Sequence, residues 1–190
     1  MFLRKSRIEP LPVTMSAVRM GERVLQIGVD DPALVVTLAG KAGLSGSAVV
    51  VVTDDAAAER AGRAAASAGV LVDVRVSAPT SIPCDTASFD IVIAHGVARI
   101  ISALDAAARA TAMGEWHRVL RPGGRIMTID VIDAGGLKSL LRKQAESTAI
   151  PADATIAALQ GAGFRPVRML AEREGYRFIE GLKGAPGGSN

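Results

Sequence analysis

The sequence of 190 residues contains little cysteine, histidine or aromatic residue. Its single cysteine, Cys84, excludes an intramolecular disulfide and is typical of a protein kept in a reducing compartment. One cysteine and two scattered histidines do not have the spacing of metal ligands, so no metal site is expected. Because Phe, Tyr and Trp make up only 3% of the chain, few rings are present on which the bases of single-stranded nucleic acid could stack.

Long apolar segments and long runs of like charge are also absent. No apolar stretch approaches the roughly 18 residues of a transmembrane helix, and residues 1–5 lack the apolar core that a signal peptide needs after its charges. We therefore expect a cytoplasmic protein with no membrane span. The net charge is +3, and the densest basic cluster is Arg4, Lys5 and Arg7. A nucleic-acid-binding face would recruit more Lys and Arg, so we expect a solvated tail there and no nucleic-acid partner.

The remaining composition is that of one globular domain. Hydrophobic residues make up 49% of the chain and charged residues 22%, and the length suffices to bury a substantial core without disulfides. Strand and helix patterns alternate five times before a hairpin-like ending. Residues 48–53 form a β-branched run that is typical of a parallel strand buried on both faces. The alternation predicts a doubly wound parallel sheet covered by helices on both faces.

The predicted elements account for most of the chain. Strands are expected at residues 23–27, 48–53, 70–76, 89–94, 125–131, 164–170 and 176–182. Helices are expected at residues 32–42, 56–68, 98–120 with a break near 111–114, 137–146 and 153–161. Pro10 and Pro12 predict an extended N-terminal arm over residues 1–20, with at most a short turn near residues 15–19. Residues 21–183 form the predicted domain, and residues 184–190, rich in glycine, are expected to be a flexible tail.

The first strand is followed directly by a tight turn and a helix start. Gly28 ends the strand, and Asp31 and Pro32 have the residue types of an N-cap and a first helical position. A strand, turn and helix in this order place backbone N–H groups and a positive helix end at the carboxyl edge of the sheet. In open parallel sheets, ligands bind at this edge where the strand order reverses. We therefore expect a nucleotide-type site at this turn.

Three further segments carry a family resemblance. Residues 88–94 read Ser-Phe-Asp-Ile-Val-Ile-Ala, and residues 115–126 read Glu-Trp-His-Arg-Val-Leu-Arg-Pro-Gly-Gly-Arg-Ile. Residues 161–164 read Gly-Ala-Gly-Phe and precede the sixth strand. In this order and spacing they resemble the class I S-adenosylmethionine-dependent methyltransferases over residues 20–183. The resemblance implies a Rossmann-like, mostly parallel seven-stranded sheet with an antiparallel last strand, and methyl transfer from S-adenosylmethionine to a small-molecule acceptor.

The resemblance also implies which residues of the first turn contact the cofactor. Family members have an acidic residue at the end of the first strand and then a Gly-x-Gly-x-Gly turn, whose glycines let the backbone approach the methionine part of the cofactor. Here the acidic position is Gln26, and the three glycine positions are Gly28, Asp30 and Pro32. Gln26 can form a hydrogen bond but cannot pair with the cofactor's ammonium, and Asp30 adds bulk and negative charge beside it.

The ends of the next three strands supply the other candidate residues. Asp54 or Asp55 lies where the family places the carboxylate that accepts both ribose hydroxyls, Asp54 being favoured, and either can instead be a helix N-cap. Ala78 occupies the acidic position after the third strand, so Ser77 or a backbone N–H would have to hold the adenine. His95 follows the fourth strand, where it is a candidate general base or a strand-end histidine bonded to backbone.

Two functions remain open at the level of the sequence. The first is a small methyltransferase that uses S-adenosylmethionine. The second is a non-catalytic binding or scaffold protein that keeps the fold but has lost cofactor binding, as the departures at Gln26, Asp30, Pro32 and Ala78 indicate. The sequence does not determine the acceptor, and it leaves a homodimer open.

Overall fold

Seven strands form one sheet in this computed structural model, which describes residues 9–29, 31–132 and 151–185. The strands are β1 (Arg23–Ile27), β2 (Ser47–Val52), β3 (Asp73–Val76), β4 (Phe89–His95), β5 (Leu120–Val131), β6 (Phe164–Arg173) and β7 (Tyr176–Lys183). The helices are α1 (Leu11–Ser16), α2 (Pro32–Ala42), α3 (Asp55–Ala68), α4 (Val97–Ser102), α5 (Ala106–Val119) and α6 (Ala152–Gly161).

The strand order is β3-β2-β1-β4-β5-β7-β6, and it reverses between β1 and β4. Strands β1 to β5 are parallel, and β7 runs antiparallel to both β5 and β6. This confirms the predicted doubly wound, mostly parallel sheet with an antiparallel last strand. Ile27 is level with Val51 of β2 on one side and with Ala94 of β4 on the other. The turn after β1 therefore emerges between the carboxyl ends of β2 and β4, at the switch point.

Alternate side chains of the strands face two different helix layers. Leu25 belongs to a buried cluster with Trp116 of α5, and this cluster joins the sheet to α4, α5 and α6. Ile93 belongs to a cluster on the opposite face with Val13 of α1 and Leu38 of α2. A third cluster packs α2 and α3 over β2. The odd-numbered and even-numbered residues of a strand therefore lie in different environments at the carboxyl edge.

Three helices begin at an aspartate, as N-cap preferences predict. The carboxylates of Asp31, Asp54 and Asp105 accept hydrogen bonds from the N–H groups of Ala33 at 2.9 Å, Ala57 at 2.8 Å and Ala108 at 2.8 Å. Helix α2 ends before Gly43 and α3 before Gly69, where the sequence also predicts stops. Local sequence signals thus fix both ends of the two helices that follow β1 and β2.

The N-terminal segment differs from the extended arm that was expected. A short helix, α1, forms because Pro10 precedes its first residue and Pro12 lies in its first turn, where the missing N–H needs no partner within the helix. Val13 and Val18 are buried, with 1% and 7% of their surfaces exposed. The prediction of an extended segment was therefore wrong for residues 11–16. This helix packs in the buried cluster that α2 forms with the sheet.

Two element boundaries were also predicted wrongly. The helix expected over residues 98–120 is divided at residues 103–105 and not near 111–114, because Asp105 caps a new helix there. Strand β3 begins at Asp73 and not at residue 70, because the N–H of Val70 donates to a carbonyl at the end of α3. In both places a helix terminus, and not the apolar pattern, sets the boundary.

Strand β5 begins earlier than expected. The segment 121–124, which lies between the predicted helix and the predicted strand, is part of β5 and forms a bulge: Phe89 pairs with Leu120, and Ile91 pairs with Arg125. Four residues on β5 are thereby accommodated opposite a single residue on β4.

Some predictions fall outside the described residues. These are the helix at residues 137–146, the first eight residues of the arm, the last five residues of the tail, and Asp30. Among the helices that are described, none has the length and apolar character needed to cross a membrane.

Ion pairs hold β1, β4 and β5 together at the amino edge of the sheet. Asp90 accepts hydrogen bonds from the backbone N–H of Arg23 at 2.7 Å and from the guanidinium of Arg121. Glu22 accepts one from the guanidinium of Arg125 at 2.8 Å. Burial raises the pKa of both carboxyls. The hydrogen bonds from arginine and backbone N–H groups together lower the pKa by more than burial raises it, so both pKa values lie below the ordinary range.

We expect Asp90→Asn to lower the free energy of unfolding by about 2 kcal/mol at pH 7, since hydrogen bonds to charged groups contribute about 1.5–3 kcal/mol. A carboxyl with a lowered pKa stabilises the fold above its unfolded pKa, and this contribution is lost as the pH falls through its folded pKa. The difference between parent and variant should therefore shrink below about pH 4. Urea unfolding at neutral and acidic pH measures it. Asp85→Asn, at an exposed position, is the control, and a difference that does not change with pH would contradict the assignment.

Candidate functional site

A cleft of about 550 Å³ lies at the carboxyl ends of β1, β2 and β3, beside α4. The turn after β1, the end of β2, the start of α3 and the loop after β3 form its walls. Residues that line it include Gly28, Val29, Thr53, Asp54, Ser77 and Ile100. The volume lies in the range of small-molecule sites, which is about 300–1,000 Å³. The cleft therefore occupies the position where the sequence predicts a ligand site.

Gly28 lets the turn pass very close to the end of β4. Its φ is +80°, and a Cβ there would lie 2.8 Å from the backbone oxygen of His95 and 3.0 Å from Cδ1 of Ile100. Its N–H donates to the carbonyl of Val51 at 3.0 Å, which continues the sheet into the turn. A side chain has neither the space nor the backbone conformation it needs at this position. The glycine retained in the turn is thus required by the packing of β1 against β4.

Gln26 forms a hydrogen bond to the backbone of the turn and does not line the cleft. Its side chain is buried, with 2% of the residue exposed, and its Nε2 donates to the carbonyl oxygen of Gly28 at 3.3 Å. A carboxylate at this position would bring negative charge against that oxygen, whereas the amide supplies a donor. The residue predicted to contact the cofactor directly therefore lies where it can stabilise the conformation of Gly28.

Asp54 is a helix N-cap and also lies at the cleft wall. One carboxylate oxygen caps α3, and the residue also lines the cleft, with its other oxygen 3.5 Å from the hydroxyl of Thr53. Asp55 is the first residue of α3, is exposed and does not line the cleft. Of the two candidates, only Asp54 brings a carboxylate to the cleft wall.

The loop after β3 forms the far wall. The N–H of Ser77 donates to the carbonyl of Val52 at 2.9 Å, and its hydroxyl donates to the carbonyl of Ser81. Ser77 lines the cleft, whereas Ala78 is exposed and lies outside the lining. The neighbouring Pro79, which the sequence did not single out, is buried in the lining. This wall consequently offers apolar surface and backbone in place of a carboxylate.

His95 does not line this cleft. Its side chain, 3% exposed, faces a second cavity of about 280 Å³, on the side of the sheet covered by α1 and α2. Asp31 and Tyr176 line the same cavity. Burial lowers the pKa of His95, and the carboxylates of Asp130 and Asp31 raise it by less, so the pKa lies below its ordinary value. The imidazole is therefore neutral at pH 7.

Arg60 is a cleft residue that the sequence analysis missed. It lies on α3 and lines the cleft on the same helix as the cap residue Asp54. The helical period could have found it, because Asp54, Ala57 and Arg60 follow at intervals of three residues, which puts them on one helix face. Within the described part of the chain, no cluster of His, Cys, Asp or Glu could hold a metal ion. The cleft is therefore equipped to bind a polar organic molecule that carries hydroxyl groups.

A profile of the family described as a methyltransferase domain matches residues 25–128, more than half of the chain. These residues extend from β1 into β5 and include every described residue that forms the cleft. No sequence of a curated protein matches the chain.

Solved structures with the same fold include three that cover nearly all of the chain. A SAM-dependent methyltransferase from Aquifex aeolicus has a TM-score of 0.74 at 17% identity, over 90% of this chain and 86% of its own. One from Methanosarcina mazei has a TM-score of 0.68 at 18% identity, over 94% and 100%. The 4+2 cyclase SpnF has a TM-score of 0.71 at 17% identity, over 92% and 79%. Together with the profile, these structures confirm the predicted family resemblance and Rossmann-like fold.

We expect Gly28→Ala to lower the free energy of unfolding by about 2 kcal/mol or more, since it adds a left-handed non-glycine residue and a clash with the carbonyl of His95. Gly40→Ala is the matched control, because Gly40 lies within α2 and a Cβ there would meet open space. The control should be neutral or stabilise the protein by up to about 1 kcal/mol. Urea unfolding compares them, and equal midpoints for the two variants would show that the close approach at Gly28 is not tight.

Proposed function

The chain belongs to the methyltransferase domain family, and from this membership we propose that it transfers a methyl group from S-adenosylmethionine to a small-molecule acceptor. The observation that carries the proposal is the position of Asp54, whose carboxylate lies in a cleft beside Gly28 at the switch point of the sheet. Both residues come from strand ends that the family profile covers. Ligands of doubly wound folds bind at this point.

The residues of the cleft fit the nucleoside part of the cofactor. A carboxylate has about four lone-pair sites, so Asp54 can cap α3 and still accept hydrogen bonds from ribose hydroxyls. Pro79 and Ile100 supply apolar surface for the adenine. Gly28 brings the backbone of the turn to the cleft wall, beside which the methionine part would lie. When bound, the cofactor supplies an electrophilic methyl group on a sulfonium.

The contribution of the protein to such a reaction is placement of the acceptor. Transfer from a sulfonium needs a nucleophile held in line with the methyl group, and orientation of this kind can supply about 7–11 kcal/mol of the barrier. Gly28 fixes how closely the turn approaches β4, and Gln26 fixes the carbonyl of that turn. These two residues act on the reaction through the backbone and are positioning residues.

A second candidate function is a non-catalytic protein that keeps the fold without the cofactor. It is favoured by the two positions where the resemblance implies acidic residues. Gln26 has an amide that donates to the backbone, Ala78 is exposed, and neither residue is part of the described cleft lining. One structural neighbour is named as a 4+2 cyclase, and a fold does not by itself fix a reaction. This alternative predicts no affinity for the cofactor.

We further propose that the acceptor is not a nucleic acid and that the protein acts in the cytoplasm. The net charge of +3 is small for a chain of this length, and Arg60 is the sole cation among the described residues that line the cleft. Binding along a phosphate backbone uses several Lys and Arg on one face.

Titration calorimetry with S-adenosylmethionine and S-adenosylhomocysteine tests the proposal. We expect the parent protein to bind both, and Asp54→Asn to bind roughly 10- to 100-fold more weakly, because asparagine keeps the helix cap but loses the charge that strengthens hydrogen bonds to ribose. Asp55→Asn is the matched control and should retain the parent affinity, since Asp55 lies outside the cleft.

The possible results separate the two functions. A folded parent protein that binds neither ligand at millimolar concentration would support the non-catalytic alternative. Binding that Asp54→Asn leaves unchanged would mean that another residue holds the ribose.

A further inference from the structure

The second cavity lies at the carboxyl ends of β4 and β5, between α1 and the start of α2. Most of its wall is apolar, formed by side chains such as Pro10, Pro12, Val13, Leu34 and Val131. Four polar residues line it: Asp31 at the start of α2, Thr37 within it, His95 at the end of β4, and Tyr176 at the start of β7. At about 280 Å³ it is slightly smaller than typical small-molecule sites, so it suits a ligand with a short apolar body and one polar group.

The charge in this cavity is negative. Asp31 contributes a full negative charge, and its Oδ1 caps α2 through the N–H of Ala33 at 2.9 Å. The helix N-terminus offsets this by only about half a charge. His95 adds no positive charge at pH 7, because burial lowers its pKa, and Asp130 acts on it as a second carboxylate. Among the described residues that line the cavity, none is lysine or arginine.

We propose that this cavity binds a small amine in its protonated form, with the ammonium at Asp31 and the apolar body between α1 and α2. An ammonium gains from the carboxylate an interaction that a neutral ligand of the same shape lacks, and charge-assisted hydrogen bonds are about twice as strong as neutral ones. Tyr176 and His95 add further polar residues to the lining. An anionic ligand would be repelled by the same carboxylates.

The two cavities lie next to each other along the turn between β1 and α2, which contributes residues to the lining of both. Gly28 and Val29 line the cleft, whereas Asp31 and Leu34 line the second cavity. His95 contributes to both sides, because its backbone oxygen lies against Gly28 and its side chain faces the second cavity. A molecule in the second cavity is therefore a neighbour of one in the cleft.

The role of the amine rests on the proposed function. Because its cavity adjoins the cleft, the amine is the methyl acceptor of that reaction. The ammonium first releases one proton to solvent at the exposed side of Asp31. The nitrogen lone pair then forms the new carbon–nitrogen bond while the bond from methyl to sulfur breaks, and its electron pair stays on sulfur. The products are the methylated ammonium and a neutral thioether.

Binding can be followed through the imidazole NMR signals, because the chain contains only two histidines. His95 lines the cavity, whereas His117 packs against Phe164 with ring centroids 5.0 Å apart, in a different part of the fold. We expect benzylamine at millimolar concentration to shift the His95 signals and leave those of His117 in place. Benzyl alcohol, the uncharged match, should bind about tenfold more weakly.

Asp31→Asn tests the role of the charge, since asparagine is an equally good N-cap. We expect it to weaken benzylamine binding about tenfold and to remove the preference over benzyl alcohol. Asp105→Asn is the matched control: it makes the same change at the N-cap of α5, outside both cavities, and should bind as the parent does. Urea unfolding of both variants checks that their folds are retained.

The inference is overturned if benzylamine leaves His95 unshifted, or if Asp31→Asn and benzyl alcohol leave the affinity unchanged. The titration needs no cofactor, so it is independent of the proposed function. Binding of S-adenosylhomocysteine without binding of benzylamine would leave the proposed function in place and remove the amine site. Binding of benzylamine without binding of S-adenosylhomocysteine would keep the amine site and remove its role as acceptor.

Discussion

The close approach of the turn after β1 to the end of β4 is the constraint on which the rest of the site depends. At Gly28 the backbone comes so near the carbonyl of His95 that a single added carbon would clash. This contact lies at the switch point of the sheet, a few residues before the start of α2. The residues at this contact also line the two cavities: Gly28 lines the cleft, and His95 lines the second cavity. Both cavities therefore lie beside one close backbone contact.

Two aspartates show how a structural and a functional role can coincide. Asp31 and Asp54 each place one carboxylate oxygen on the first turn of a helix, and each lines one of the two cavities. In a doubly wound fold the helices begin at the carboxyl edge, so a residue that caps a helix is already next to the ligand site. Helix capping and ligand binding at such positions are consequently not alternatives, because a carboxylate has enough lone pairs for both.

Gln26 occupies the position where the family resemblance implies an acidic residue, and its contacts show what an amide does there. Its buried amide donates to the carbonyl of Gly28, a contact that a carboxylate cannot make. The substitution therefore removes a charge from the turn and adds a hydrogen bond to its backbone. Gln26 and His95 are both the last polar residues of their strands, yet neither lines the cleft, because both side chains lie on the face that α1 and α2 cover.

The sequence alone determined the order and type of most elements, because apolar period, N-cap aspartates and glycine stops are local signals that adjacent residues supply. It also determined that Gly28 and Asp54 lie at neighbouring strand ends, since parallel strands put their carboxyl ends on one edge. Only the tertiary structure decided which face of the sheet each strand-end side chain occupies. Consecutive residues of a strand point to opposite faces, so the register of β1 against β4 sends Gln26 and His95 away from the cleft. Likewise, the burial of Val13 in α1 and the bulge in β5 depend on contacts between residues far apart in the chain, which no local pattern records.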